Sequence, residues 1–190
     1  MVQTDTQAFS VTYGTGSSSG TLATDTLQIG SLSPSMTFGL ATNVSDEFRA
    51  YPMDGILGIG RGAGTDGIAA PQIMDVLSND GLIGAKLFGI YLSRSVDGLL
   101  DGELNLGEAN TNRFSGNLNY VDCVGNDTGF WEIPIEDAGV DGQTVGLVDR
   151  TAIMDTGTSY ILMPEDDALA IHEGIQGYIQ DGEASVRGTM

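Results

Sequence analysis

The chain has 190 residues, of which 41% are apolar and 17% are charged, a composition typical of a folded globular protein rather than a disordered one. Its 7 basic and 26 acidic residues give a net charge of −19, and such a surface repels nucleic acid and anionic lipid, so we expect neither as a partner. The single cysteine, Cys123, excludes a disulfide within the chain and a zinc site built from cysteines, and no apolar run is long enough to cross a membrane.

The first predicted element is a β-hairpin, in a chain whose 28 glycines and many short apolar runs favour a mainly β architecture. Phe9, Val11 and Tyr13 alternate with polar residues, as in a strand with one buried face. The Gly- and Ser-rich run 14–20 predicts a flexible tip, and a second strand follows from Leu22. The hairpin is either a lid over a cleft or an ordinary solvent-exposed hairpin, and the local sequence favours neither.

A strand and a helix are predicted next. The apolar segment 53–60, which is punctuated by glycines, indicates a buried strand that passes close to another part of the backbone. Pro71 then opens a short helix, which Gly81 ends. The apolar side of this helix consists of Ile73, Val76 and Leu77.

The rest of the chain continues as short strands, with one more helix near the end. Apolar segments predict strands at 87–92, 104–106, 118–120, 131–135 and 145–147. We expect the first of these to be buried on both faces. Pro164 begins the helix, acidic residues in its first turn complement the helix dipole, and Gly177 ends it. The tail from residue 180 shows no periodicity.

The turn Asp155-Thr156-Gly157 is the most informative segment, because it joins the apolar runs 152–154 and 160–162. A carboxyl group placed between apolar strands is a candidate catalytic group. Burial raises its pKa, while hydrogen bonds from loop amides and hydroxyls lower it, so the site can be tuned for acid–base chemistry. The obvious partner is a second carboxylate, and the sequence repeats Asp-Thr-Gly at one other place, residues 127–129.

Four motifs carry the strongest signal when they are taken in chain order. They are Tyr13-Gly14-Thr15-Gly16-Ser17, Asp54-Gly55-Ile56-Leu57-Gly58, Gly102-Glu103-Leu104-Asn105-Leu106-Gly107 and Asp155-Thr156-Gly157-Thr158-Ser159. Together they resemble a pepsin-like aspartic protease over nearly the whole chain. The resemblance implies a mainly β, bilobal fold in which each lobe supplies one Asp-Thr-Gly loop. Residues 1–110 would belong to the N-terminal lobe, and residues 111–190 to the C-terminal lobe.

The resemblance also implies an activity and a set of site residues. The activity is that of an aspartic-type endopeptidase, which hydrolyses peptides or unfolded proteins at acidic pH, outside the cell or in a vacuole, with no metal or organic cofactor. Asp155 would be the catalytic aspartate of the second lobe. Ile56-Leu57-Gly58 resembles the strand that supports the first lobe's catalytic loop. The implied substrate-binding residues are Tyr13, Gly14, Thr15, Gly157 and Thr158, with Tyr13 in the flap that closes over the cleft.

The family pattern also contains an Asp-Thr-Gly loop before the flap and an apolar strand after the second loop, and the sequence shows neither. We therefore expect the chain to correspond to the middle of such an enzyme and a monomer of it to lack the working pair. Two alternatives stay open. One is a truncated, non-catalytic peptide-binding protein, and the other is a protease active only as a homodimer that pairs Asp155 from two copies.

Four other chemically interesting positions have ordinary interpretations. Asp54 precedes a glycine and is typical of a turn, and Asp149 is expected to form a surface pair with Arg150. His172 lies in a predicted helix without a nucleophile pattern around it, so we interpret it as structural. Cys123 is expected to be a half-buried small apolar residue rather than a nucleophile.

Overall fold

The structure is a computed structural model that describes residues 3–62, 68–180 and 186–187. It divides into two compact units, which are described separately below. The first contains Met1–Leu118 and Asp127–Gly129, and the second contains Asn119–Asn126 and Phe130–Met190. Strands predominate over short helices in both, so the prediction of a mainly β chain is confirmed. The division of the sequence into lobes at residue 110 stays a prediction.

The main sheet of the first unit is antiparallel, in the order β1 (Gln3–Tyr13), β2 (Gly16–Thr26) and β3 (Ser35–Val44). The predicted hairpin is therefore present, but its loop is only Gly14-Thr15. The expected long, flexible tip is wrong, because the Gly- and Ser-rich run from residue 16 pairs with β1 on one side and β3 on the other. Hydrogen bonds to two neighbouring strands hold these small residues in the sheet despite their weak strand propensity.

Two short helices follow this sheet, α1 (Asp46–Arg49) and α2 (Ile73–Asn79). Ile73, Met74 and Leu77 of α2 are buried together with Met36 of β3 and form the core cluster of this unit. Helix α2 ends as predicted at Gly81, whose φ of 67° is in the left-handed region that favours glycine. Val76, which the prediction placed on this apolar face, is half-buried and packs against the cluster, and Met74, which the prediction did not include, is buried as well.

The helix end follows the Schellman pattern in full. The N–H of Gly81 donates to the carbonyl of Ser78, and the N–H of Leu82 donates to the carbonyl of Leu77. These bonds satisfy two carbonyls that the end of a helix leaves without partners. The chain is then directed towards β4 (Phe88–Tyr91), which pairs with β5 (Glu103–Leu106).

Three sequence-based expectations for the first unit and its boundary are wrong. The five sheets formed by the described residues include neither 53–60 nor 118–120, and Ile56 and Leu57 are 53% and 44% exposed. Strand β4 is not buried on both faces, because Ile90 is exposed. Apolar content alone does not make a buried strand. A strand also needs a ladder of hydrogen bonds to a neighbouring strand, and neither segment belongs to a ladder of the described residues.

The described residues of the second unit form three two-stranded ladders and one helix. Strand β6 (Glu132–Ile135) pairs with β9 (Arg150–Ile153), β7 (Gly139–Val140) with β8 (Gln143–Thr144), and β10 (Ile179–Gln180) with β11 (Val186–Arg187). The strand predicted at 131–135 is confirmed as β6, but 145–147 is not a strand. Helix α3 (Glu165–Glu173) begins after Pro164 as predicted and ends at Gly174 instead of Gly177. Within the described part of the chain, no helix is both long and apolar enough to cross a membrane.

Candidate active site

The Asp155 loop directs hydrogen bonds to both oxygens of its own carboxylate. The backbone N–H of Gly157 donates to Oδ1 at 2.9 Å, and the hydroxyl of Thr158 donates to Oδ2 at 2.5 Å. The N–H of Thr158 also donates to the carbonyl of Asp155 at 3.3 Å, which closes the turn. A Cβ atom on Gly157 would lie 3.2 Å from Oδ1, so glycine allows this close approach. The loop thus fixes the plane of the carboxylate without help from distant residues.

The expectation of a strand-like run on each side of the Asp155 turn holds on one side only. The side chain of Asp155 is exposed, and only one flank of the loop is a strand, β9. The N–H of Met154 donates to the carbonyl of Trp131 at 2.8 Å, which extends the β6–β9 pairing to the residue before Asp155. The other flank, Tyr160-Ile161-Leu162, belongs to no strand and is exposed by 80%, 86% and 79%. The carboxylate therefore faces solvent in this unit, beside an uncovered apolar segment.

An ion pair anchors the strand that leads into the loop. Arg150, the first residue of β9, donates from Nε to Oδ2 of Asp167 at 2.6 Å and from Nη2 to Oδ1 at 3.0 Å. Its third nitrogen donates to the carbonyl of Val148 at 3.0 Å. The expected surface pair between Arg150 and Asp149 is therefore wrong as to the partner of Arg150. The fold brings the first turn of α3 against β9, and Asp167 is buried there. This bidentate geometry holds strand and helix in one register.

Another carboxylate of this unit, that of Asp137, has a structural role in the loop that precedes β9. It accepts hydrogen bonds from the backbone N–H groups of Ala138 at 2.8 Å, Leu147 at 2.8 Å and Gly146 at 2.9 Å. These bonds close the base of the β7–β8 hairpin. The backbone donors, the one from Leu147 above all, lower the pKa of Asp137, because they stabilise the charged form.

We predict that the second unit keeps its fold to lower pH than ordinary carboxylates would allow. The pKa of Asp167 is lowered by its hydrogen bonds to Arg150, and that of Asp137 by backbone donors. A carboxyl group with a lowered folded-state pKa stabilises the fold fully above its unfolded pKa of about 3.9 and loses this contribution only as the pH falls through the lower folded value. The stability should therefore persist into mildly acidic solution and fall steeply only in strong acid.

Thermal unfolding followed by circular dichroism across acidic pH tests this expectation. Asp167→Asn should lower the midpoint temperature at neutral pH and flatten its acid dependence, because the titrating group has been removed. Asp122→Asn, at an exposed aspartate of the same unit, is the matched control and should leave both unchanged. An acid dependence that is identical in Asp167→Asn and in the parent chain would contradict the prediction.

Three of the other predicted site residues, Tyr13, Gly14 and Thr15, lie in the first unit. Tyr13 ends β1 and is 39% exposed, its pKa is raised by partial burial, and its ring contacts the edge of Phe48 with centroids 5.3 Å apart. Gly14 and Thr15 form the exposed tip, and a Cβ on Gly14 would meet nothing within 4 Å. The structure therefore groups Tyr13 with Gly14 and Thr15 in one unit.

The remaining predicted residues form a second group. Gly157 and Thr158 lie with Asp155 in the other unit, and both contact its carboxylate. His172 lies in α3 with its Nδ1 atom 2.6 Å from the carbonyl of Ala168, and Cys123 is half-buried, both as expected of structural residues. Within the ranges that the structure describes, no three His, Cys, Asp or Glu side chains cluster closely enough to hold a metal ion.

Phe48 and Ser45 are contacts of the hairpin that the sequence analysis missed. The available signal was local, since Ser45 precedes Asp46 and Glu47 as a serine does at a helix start, and an aromatic residue follows in the same turn. That signal predicts a short helix. It does not predict that the helix packs on the tip of the hairpin, which is a contact between residues far apart in sequence.

Comparison with known proteins gives a consistent result across sequence and structure. A family model described as eukaryotic aspartyl protease matches residues 1–187. The aspartic-type endopeptidase ctsD of Aspergillus fumigatus is 42% identical over 171 residues, which cover 90% of this chain and 36% of that protein. Pepsin-3 of Oryctolagus cuniculus is 34% identical over 186 residues, which cover 96% of this chain and 46% of that protein.

A solved structure is also similar. The aspartic proteinase from Irpex lacteus superposes with a TM-score of 0.77 at 27% identity, over 95% of this chain and 55% of that one. The chain thus spans between about a third and a half of the length of the two curated relatives, with 36% of one and 46% of the other covered.

Proposed function

Because the chain belongs to the eukaryotic aspartyl protease family, we propose that its function is endoproteolysis at acidic pH, with Asp155 as one of two catalytic carboxylates. The resemblance to pepsin-like enzymes and the corresponding fold are confirmed by the family match and by the solved neighbour. The observation that carries the proposed chemistry is the Asp155 loop, where Gly157 and Thr158 donate to the two carboxylate oxygens.

The proposed reaction needs a pair of carboxylates that share one proton. Two such groups in contact do not both ionise readily, so one is a base while the other is an acid. The ionised member takes a proton from water as the water oxygen attacks the peptide carbonyl carbon, and the protonated member donates its proton to the carbonyl oxygen. The carboxyl group that took the proton from water then donates it to the leaving nitrogen, and the other carboxylate takes a hydroxyl proton from the tetrahedral intermediate. The C–N bond breaks as the carbonyl re-forms, and the pair again shares one proton.

We propose that the second carboxylate comes from outside these 190 residues, because the Asp-Thr-Gly loop that the family pattern places before the flap is not among them. The one other Asp-Thr-Gly, at residues 127–129, follows the flap segment. The second carboxylate would be supplied either by more of the same polypeptide or by Asp155 of a second copy. The exposure of Asp155 and of Tyr160-Ile161-Leu162 supports a covering surface on this side of the loop. On this proposal, 1–110 and 111–190 are portions of the two lobes of the enzyme.

The proposed substrate is an extended peptide or an unfolded protein, held by the hairpin tip and by the loop after Asp155. Gly14 and Thr15 would offer backbone hydrogen bonds to the peptide, as an added strand does, and Tyr13 would pack against it. Thr158 and Gly157 would contact it near the scissile bond, which we place between bulky apolar residues. A net charge of −19 is consistent with an acidic compartment, so we propose that the protein is secreted or vacuolar.

A cleavage assay tests the proposal. The purified chain, and any longer protein that contains it, is incubated with an unfolded protein from strongly acidic to neutral pH, with and without a statine-containing peptide. We expect cleavage at acidic pH that the statine peptide inhibits. The names of the relatives favour hydrolysis over binding alone.

Sedimentation in the same buffers then distinguishes the two sources of the second carboxylate. A strictly monomeric active 190-residue chain would exclude pairing of Asp155 between copies. Peptide binding without cleavage in every form of the protein would overturn endoproteolysis and support the non-catalytic alternative.

A further inference from the structure

Ser45 occupies the N-cap position of α1 but does not cap that helix. Its backbone is extended, with φ −62° and ψ 156°, and its side chain makes no hydrogen bond to the helix amides. Instead its Oγ accepts the backbone N–H of Ser17 at 3.0 Å, and its own N–H donates to the carbonyl of Ser17 at 3.0 Å. A serine at an N-cap ordinarily accepts from the first turn of its helix. Here the hydroxyl joins the helix start to the hairpin.

The same helix places an aromatic ring against the end of β1. Phe48 meets Tyr13 edge to face, with an angle of 87° between the rings and 5.3 Å between their centroids. Edge-to-face geometry of this kind is favourable beyond simple burial, because the positive ring edge meets the negative ring face. Ser45 and Phe48 therefore contact both strands of the hairpin next to its two-residue tip.

Gly16 is the residue that makes this arrangement possible. A Cβ at this position would lie 2.5 Å from Oγ of Ser45 and 3.0 Å from the Phe48 ring. Gly16 is not among the residues with positive φ, so the requirement for glycine is one of space and not of backbone conformation. Gly14, two residues earlier, has open space around it.

We propose that Ser45 and Phe48 are positioning residues that form a latch on the hairpin, with Gly16 and Ser17 as its other half, and that the latch sets the orientation of Tyr13 for peptide binding. The inference rests on the proposed function of the hairpin. Without the latch, the tip would have few contacts of its own, and a bound peptide would have to order it. Fixing the tip beforehand removes part of that entropic penalty.

The experiment compares variants of each half of the latch with conservative replacements. Ser45→Ala removes the hydroxyl and Ser45→Thr retains one, whereas Phe48→Ala removes the ring and Phe48→Tyr retains it. Gly16→Ala obstructs the contact, and Gly84→Ala, which adds a methyl group in open space outside the hairpin, is the matched control. Four properties are measured: the amide hydrogen exchange of Ser17, the phenol titration of Tyr13, the midpoint of thermal unfolding, and the Kd of a statine-containing peptide.

In Ser45→Ala and Gly16→Ala we expect the Ser17 amide to exchange about tenfold faster, as loss of one hydrogen bond implies. In Phe48→Ala the Tyr13 phenol should titrate closer to its ordinary pKa, with Tyr13→Phe identifying its signal among the six tyrosines. All three variants should weaken peptide binding about threefold to tenfold, with little change in thermal unfolding. The Thr and Tyr replacements should restore binding, which a purely structural role would not require.

Two results would overturn the latch. One is unchanged exchange and titration in the alanine variants, and the other is a loss of peptide affinity that the conservative replacements do not restore. If Phe48→Ala fails to fold, Phe48→Leu keeps the apolar packing without the aromatic edge and is judged by the same criteria. A parent protein that binds no peptide overturns the proposed function, and the exchange and titration results then decide separately whether Ser45 and Phe48 hold the hairpin.

Discussion

Asp155→Asn is expected to abolish peptide hydrolysis in any active form of the protein that contains this chain, while the second unit stays folded. Asparagine has the same shape, and its amide can still accept the N–H of Gly157 and bond to the hydroxyl of Thr158. It cannot take a proton from water, so the loss in kcat should be about a hundredfold to ten-thousandfold. Initial rates with a quenched fluorescent peptide, together with a circular dichroism spectrum, measure both effects.

Three further variants sharpen this prediction. Asp141→Asn replaces an exposed aspartate of the same unit, in a positive-φ position that asparagine tolerates, and should leave the rate unchanged. Thr158→Val removes the hydrogen bond to Oδ2 of Asp155 and should lower kcat, whereas Thr158→Ser should retain most of it. Full activity in Asp155→Asn would disprove the assignment of Asp155 as a catalytic residue.

Gly20→Ala should destabilise the first unit more than any other single methyl addition to the hairpin strands. Gly20 lies in the central strand, beside the register shift between β2 and β3. A Cβ at this position would lie 2.1 Å from the carbonyl oxygen of Leu40 and 3.0 Å from the backbone nitrogen of Thr42. Because both contacts are with backbone, relief requires separation of the two strands, and we expect a loss in the free energy of unfolding of about 3 kcal/mol or more.

Urea unfolding followed by fluorescence and circular dichroism measures this loss. Gly14→Ala is the matched control, since the added methyl group meets no atom within 4 Å, and its free energy of unfolding should stay close to that of the parent chain. If Gly20→Ala had the same free energy of unfolding as Gly14→Ala, the sheet would have to adjust to the added methyl group at this position. The close approach of the β2 and β3 backbones would then not be the reason for glycine.

Local signals in the sequence were sufficient for several elements of the fold. The alternation around Phe9 predicted β1, Pro164 predicted the start of α3, and Gly81 predicted the end of α2. These predictions succeed because the cause lies within a few residues, in side-chain periodicity or in backbone freedom. The hydrogen bonds of the Asp155 loop belong to the same class, since every donor lies within three residues of the carboxylate.

Long-range pairings were not accessible from the sequence. Nothing near Arg150 indicates that Asp167 is its partner, and nothing near Tyr13 indicates Phe48, because both contacts depend on how separate elements pack. The segment 53–60 has the composition of a strand but belongs to none of the five sheets that the described residues form. Composition determines what a segment favours, whereas the arrangement of the other elements determines whether it is paired and covered.

The uncovered segment Tyr160-Ile161-Leu162 has a consequence for handling the protein. The sequence pI is near 4.1, so in the acidic solution where we expect activity the net charge approaches zero and no longer keeps molecules apart. Exposed apolar side chains and a low net charge together favour precipitation. Precipitation of the isolated chain should therefore be greatest close to the pH at which we expect activity. Low solubility at that pH should be distinguished from lack of activity before any kinetic result is interpreted.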